Sequence, residues 1–553
     1  MELMDTTFNA WLMPALLAVP LVTALLVRLR GLLPTTQATW SAGFVGGLLT
    51  LGLVIVAMLA YDWRAGGVQM VIEAVWMPQL GLSFALGVDA LSLWMMLVTA
   101  LIMPVAALAS DGRGQNAEER GAFFCWLHVL LASMLGALMA RDVILFYAFF
   151  ELTLLPTYVL IGRFGHVGRS RAATTVFVYG FVSALFTAAG LAYIAVHHAS
   201  LAGFWSFRID DLLATAPQMS ASEQGWVFLA LMLGFGVKTP LFPLHNWLPT
   251  AHQGSSADGA VDLAALVLKL GPYGILRIVL PMLPLAVVEY APLLGVLGVI
   301  AILYAGLIAW VQPDAKSLIG YSSVSHMGFV VLGLFALDAK NIGSVGAAAY
   351  LVNHGVAVGG LLLCVGILYD RFRTRELGEV SGVAKVMPAW AFFFVFFVMA
   401  SVGLPGLNGF VGELLTLMGT FLSRDVLGPV YALLAGLGLV IGALYLLRLA
   451  ASFAFGPLKA VSYPNSGASS VDDVRDLSRR EVASLAPLAL FCLVFGLFPY
   501  PMLSTLSPAV SEMTARAQQH LHTHQGDGVR SASDTSSSTD VLVTERLVLE
   551  ASE

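Results

Sequence analysis

Seven residues of this chain combine ionisable chemistry with surroundings apolar enough for a bilayer: Glu151, Lys238, Asp262, Lys269, His326, His354 and Glu413. An ionisable side chain at bilayer depth costs roughly 2.5 to 3.5 kcal/mol on insertion scales, so such residues face a bundle interior or a water-filled cavity. Carboxylates, amines and imidazoles in alternation can each accept and release a proton, which is the chemistry of a relay. Metal chemistry has no matching pattern. Cys125, Cys364 and Cys492 sit singly in apolar runs, without CxxC or Cys/His spacing, and read as small buried hydrophobes.

The stretch from Gly234 to His252 is the most informative, because it sets Lys238, Pro240 and Pro243 inside an apolar segment. Each proline removes a backbone donor and clashes with the preceding turn, so the helix is expected to break just after the lysine and free carbonyls beside it. A lysine near a helix end can instead snorkel to the interface. Position argues against that: the apolar run starts near Trp226, which puts Lys238 about 18 Å along the helix, at mid-membrane.

Spacing adds an internal repeat. Lys238 follows Glu151 by 87 residues (238 − 151), and Glu413 follows His326 by 87 (413 − 326), so a shift of 175 maps one pair onto the other. Five predicted helices separate the equivalents, and an odd number per unit makes the two units run oppositely through the membrane, as in inverted-repeat transporters. A second interruption, Gly403 to Gly409, lies just before Glu413. His326 stands among serines able to hold water, whereas His354 fits either a relay or a core histidine bonded to a neighbouring helix. His245 and His252, near the expected end of the broken helix, fit proton entry, capping or plain solvation.

The elements that must position these groups are membrane helices. Hydrophobic residues make up 58% of 553 residues and charged ones 11%, against about 25% charged in soluble domains. Net charge is −6, with no basic, aromatic-rich patch for nucleic acid. The expected fold is all-α and polytopic, with spans near 8–28, 38–60, 90–110, 121–140, 143–162, 172–196, 225–248, 259–283, 286–311, 315–336, 341–369, 386–410, 427–455 and 482–504. These fall into three N-terminal helices (1–110), a first repeat (121–283), a second repeat (286–455), a last helix (482–504) and a polar, disordered tail (512–553). The first apolar run lacks the features of a cleaved signal and reads as a retained helix. Sixteen Lys and Arg fall in one set of alternate loops and five in the other, tail excluded, which predicts a cytoplasmic first set and both termini on the opposite side.

Five segments carry a family resemblance: Phe150–Pro156 (FELTLLP), Lys238–Pro249 (KTPLFPLHNWLP), Val261–Lys269 (VDLAALVLK), Ser322–Gly328 (SSVSHMG) and Gly403–Glu413 (GLPGLNGFVGE). Together they resemble the antiporter-like subunits of respiratory complex I, over roughly residues 90 to 455, with glutamate at 413 and Asp262 favouring the M branch over its L and N relatives. The resemblance implies about fourteen helices, two inverted five-helix repeats, and broken seventh and twelfth helices. It also implies a Glu151/Lys238 pair, a central relay of Lys269 and His326, and Glu413 as the terminal group. Flavin, iron–sulfur clusters and quinone are then expected in partner subunits and none in this chain, which would sit beside L-like and N-like subunits in the bacterial inner membrane. One departure stands out: Ser255–Ala260 lacks the proline its relatives carry there and gains Asp258. A multisubunit sodium/proton antiporter or a related membrane hydrogenase would share the same axis, and an anchoring scaffold is the competing non-transport reading.

Overall fold

The computed structural model describes residues 2–29, 35–110, 116–256, 267–459 and 474–522, with side chains from Trp11 onward. Helices dominate. The chain begins with α1 (Glu2–Arg28) and α2 (Thr36–Ala60), then a β-hairpin of β1 (Gln69–Met77) and β2 (Leu82–Val88). Next come α3 (Ala90–Ala109), α4 (Ala117–Met139), the broken span α5 (Val143–Leu152) and α6 (Leu154–Phe164), and the long α7 (Arg169–Ala202). A short α8 (Ile209–Thr215) leads to α9 (Ala221–Lys238) and α10 (Trp247–Gly254). After the undescribed 257–266, α11 (Leu270–Gly274), a π-helical turn (Ile275–Val279) and α12 (Leu280–Met282) form one irregular rod. The remaining helices are α13 (Pro284–Val311), α14 (Ala315–Leu334), α15 (Ile342–Phe372), α16 (Pro388–Val402), α17 (Asn408–Leu422), α18 (Pro429–Ala454) and α19 (Arg479–Leu497). A final helix, α20, spans 500–522.

Among the described residues, eleven helices are long and apolar enough to cross a membrane. Their burial sorts them into layers. The spanning window of α15 is wholly buried and that of α14 nearly so, whereas two-thirds of α2 and α18 are open. A helix apolar all round belongs inside, so α14 and α15 form the axis, and α3 and α4 extend it. Outer faces carry Phe177, Phe181, Leu185, Leu433 and Leu437, exposed as lipid contact requires.

Both expected interruptions are present, and the local hydrogen bonds explain the first. Pro240 has no N–H for the Gly236 carbonyl, so Leu241 N reaches back to it instead, at 2.9 Å. That leaves the Val237 carbonyl to the Trp247 indole, which donates at 2.8 Å. The helix stops at Lys238 and the freed groups stay satisfied. The second break, between α16 and α17, is clamped from α15: Asn353 Nδ2 donates to the Asn408 carbonyl and Asn408 Nδ2 to the Asn353 carbonyl, each at 3.1 Å.

Three features depart from the expected fold. The hairpin has no counterpart in an all-α chain: Val75 pairs with Ser83 and Met77 with Leu82 across a turn in which Gly81 has φ +69°. A side chain there would also overlap the Trp205 carbonyl, so only glycine fits. The twelfth span, expected at 386–410 and broken near Gly403–Gly409, runs further than expected, its second half α17 reaching Leu422. The tail expected from 512 instead begins inside α20. Met502, Leu506, Val510, Met513 and Ala517 are buried at helical spacing, and Thr514 Oγ1 donates to Asn341 Oδ1 at 2.7 Å. The polar composition conceals a packed stripe.

Close backbone approach holds α17 against α15, since an added Cβ at Gly419 would lie 2.1 Å from Gly343 N. Small residues permit such crossings where lipid offers no hydrophobic drive for helix association. Gly419→Ala is expected to destabilise this contact by about 1 to 3 kcal/mol, measured as a lower thermal midpoint of the purified, detergent-solubilised protein; an unchanged midpoint would contradict the packing.

Candidate functional site

Lys238 ends α9 beside the α5/α6 break. Its Nζ donates to the Phe150 carbonyl at 2.7 Å and to Glu151 Oε1 at 3.2 Å, and lies 3.5 Å from the centroid of the Phe150 ring. The lysine side chain is 6% exposed and that of the glutamate 15%, so the pair is largely desolvated. Glu151 Oε2 has no partner. The carboxylate therefore keeps an open acceptor, as a group that exchanges protons with water needs. A cavity of about 60 Å³ adjoins the lysine and is lined by Thr153, Thr157, His252 and Ser255. On this measure a water needs roughly 10–15 Å³ and polar partners; the cavity has that room, within mostly apolar walls such as Leu154, Ile161, Val237 and Leu248.

Lys269 lies deeper and is differently held. It is 1% exposed, and among the described residues no carboxylate pairs with it. Its Nζ stands 2.6 Å from His354 Nδ1 and 3.8 Å from Met327 Sδ. Two basic nitrogens at that distance share one proton: either the ammonium donates to a neutral imidazole or the imidazole N–H donates to a neutral amine. The couple carries one positive charge or none, and the proton between the nitrogens can sit on either.

From there the polar line continues. The His354 ring contacts the His326 ring, centroids 5.1 Å apart, and Tyr350 lies edge-on to both, at 5.8 Å from His354 and 6.0 Å from His326. Tyr350 Oη donates to Glu413 Oε1 at 2.5 Å, and His326 Nε2 approaches the same oxygen at 4.0 Å. Every member is at least nine-tenths buried. Ser322 Oγ and the Tyr445 hydroxyl, 3.0 Å apart, flank the line from α14 and α18.

Of the seven sequence-predicted residues, six are thus accounted for. Glu151 and Lys238 meet; Lys269, His354, His326 and Glu413 form a second cluster; Asp262 lies outside the described residues. The expected order changes in one respect. Lys269 touches His354, not His326, because α15 presents that imidazole toward the lysine. His354 is buried and bonded to Lys269 from a neighbouring helix, which fits both the relay and the core reading. His245 and His252 are both buried, so plain solvation fails for each; His245 stacks on Phe242 within the first break. Sequence reasoning misses Tyr350 and the Asn353/Asn408 clamp. The available signal for Tyr350 is its place four residues before His354, one turn along the same face.

An arrangement of broken helices, mid-bundle lysines and two buried clusters of acids and bases defines a class of ion-handling membrane proteins. Comparison with known proteins narrows it: residues 140–438 match the family model for the membrane domain of NADH:quinone oxidoreductase and Mrp antiporter subunits, and the chain belongs to that family. NADH-quinone oxidoreductase subunit M of Rhodobacter capsulatus is 35% identical over 514 residues, 92% of this chain and 96% of that protein. In solved structures, a chain of respiratory complex I from Thermus thermophilus superposes with TM-score 0.81 at 31% identity, over 91% of this chain and 99% of that one. A chain of the Mrp complex from Dietzia sp. shares the fold, with TM-score 0.79 at 22% identity over 93% and 99%.

The contact between Tyr350 and Glu413 is directly measurable. The infrared carboxyl band that disappears in Glu413→Gln is expected to shift in Tyr350→Phe, through loss of a hydrogen bond to a charged or acidic group worth about 1.5 to 3 kcal/mol. A band that stays in place would contradict the contact.

Proposed function

We propose that this chain is the M-type, proton-translocating membrane subunit of NADH-quinone oxidoreductase, moving protons along its buried axis while quinone is reduced elsewhere in the complex. The observation that carries the reading is the Lys269–His354 couple, a buried amine balanced by a base rather than an acid, standing between one Glu/Lys pair and one Glu/Tyr/His cluster. Structural charges inside proteins are normally paired with opposite charges. A shared proton suits transfer.

In this mechanism water in the cavity beside Thr153, Thr157 and His252 brings a proton to Lys238. Glu151 sets how firmly Lys238 holds it: at 3.2 Å and an effective dielectric near 20, the attraction is about 5 kcal/mol. Separation of carboxylate and ammonium weakens that hold and releases the proton toward Lys269. His354 receives it from Lys269, and His326 and Tyr350 pass it to Glu413. Distance between Glu151 and Lys238 is the switch.

The finer architecture follows the same reading. Both 87-residue intervals join residues in contact, Glu151 with Lys238 and His326 with Glu413, and each contact sits at a helix break. This supports two inverted repeats, over 121–283 and 286–455, within a bundle of fourteen spans. L-like and N-like subunits are the expected neighbours, in a bacterial inner membrane with both termini on the non-cytoplasmic side. Flavin, iron–sulfur and quinone chemistry belong to other subunits, this chain contributing translocation and no redox centre.

Reconstituted parent complex tests the reading. Glu151→Gln and Lys238→Met are expected to lower the protons moved per quinone reduced, by a whole subunit's share, while the enzyme still assembles. Unaltered stoichiometry in both would refute the assignment. Purification without any quinone-reducing partner would favour the antiporter alternative, and loss of assembly on neutralising Glu151 a scaffold.

A further inference from the structure

Another buried ion pair lies off the relay. Arg277, in the π-helical turn after α11, donates through Nη2 to Asp89 Oδ2, at the start of α3. The same Nη2 reaches Ser92 Oγ and the Tyr273 hydroxyl, each at 3.2 Å. Asp89 also caps α3, accepting from Ser92 N at 2.8 Å. Asp89, Ser92, Tyr273 and Arg277 are all more than nine-tenths buried.

Place gives the cluster its meaning. Lys269, Tyr273 and Arg277 follow one another at four-residue steps, so Arg277 lies about 12 Å from Lys269 toward the hairpin end of the bundle. Just beyond Asp89 the Arg141–Asp210 pair, 2.7 Å apart, has an aspartate side chain 55% exposed. Between the relay lysine and solvent there is thus a short column of polar groups, and its buried carboxylate could carry protons outward.

The hydrogen bonds of that column all point the wrong way for such transfer. The one hydroxyl proton of Tyr273 goes to the Leu138 carbonyl at 2.9 Å, so Ser92, 3.0 Å from Tyr273, must donate to it. Arg277, a cation that does not deprotonate in proteins, directs one Nη2 hydrogen to Asp89 and shares the other between the Ser92 and Tyr273 oxygens, 3.2 Å away. A proton leaving Lys269 in this direction meets a guanidinium and finds no vacant base among the described residues. Arginines that exclude protons and cations from membrane pores act by the same repulsion.

We propose that Arg277 seals the hairpin end of the axis, holding Asp89 out of proton exchange with Lys269 so that protons leave only through the His354–Glu413 branch. The inference rests on the relay reading of Lys269 but has its own readout, passive leak without turnover. A π-turn at this point fits the role, since such bulges are frequent at functional sites.

The complete complex in liposomes, given an imposed pH gradient and no substrate, provides the test. Arg277→Gln, which leaves Asp89 as a free acceptor, is expected to collapse the gradient several-fold faster than the parent. Adding Asp89→Asn should restore tightness, as should Lys269→Met. Asp89→Asn alone keeps the helix cap but strips Arg277 of its countercharge; in complex confirmed to assemble it is expected to leave both leak and proton stoichiometry unchanged, an arm that stands even if Arg277→Gln fails to assemble. A tight Arg277→Gln vesicle, a leak that survives either second change, or lost pumping in Asp89→Asn would overturn the seal. Glu151→Gln stoichiometry reports separately on the relay itself.

Discussion

The structure turns on keeping an amine at Lys269 in the driest part of the bundle with, among the described residues, no carboxylate beside it. Burying an isolated ammonium is very costly, and the nitrogen that meets it is the imidazole of His354, at 2.6 Å. That couple constrains its surroundings. It requires α15 to be buried along its length, so that His354 and Tyr350 face the axis, and it requires α17 close enough to bring Glu413 to Tyr350. Glycine contacts between α15 and α17 meet that requirement, and the asparagine clamp fixes the helix break beside them.

The two halves of the axis solve different problems. At Lys238 charge meets countercharge, next to a cavity large enough for water, and backbone freed by prolines is recaptured by Leu241 N and the Trp247 indole. At Lys269 the described partner is a base, so a proton held there has a second nitrogen to move to. In the proposed relay the Glu151 carboxylate holds the Lys238 proton more firmly than the site at Lys269, where no described countercharge stands, so transfer waits on separation of the first pair. The tyrosine and two imidazoles that follow make the next steps short.

Much of this is legible in the amino-acid order. Proline chemistry places the first break at Lys238, the Gly403–Gly409 run places the second, and the equal spacings identify the two pairs that do touch. Other features are hidden because they depend on tertiary contact. Nothing in the spacing of Lys269 says whether α14 or α15 will offer it a histidine. Tyr350 escapes notice because a phenol does not register as an ionisable intruder in an apolar helix, and Asp89 because it sits at a helix start. The hairpin and α20 fall outside a search for long apolar runs, and the apolar stripe of α20 is diluted by polar neighbours.

The central claim is that Lys269 must give up its proton, and arginine is the substitution that isolates this property, since it keeps the charge and cannot deprotonate. The decisive measurement is the number of protons translocated per quinone reduced by the assembled complex carrying Lys269→Arg. Loss of this subunit's share, with the complex intact, is the result the account predicts. An undiminished proton count would mean that Lys269 serves only as a fixed charge, and the relay would have to be abandoned.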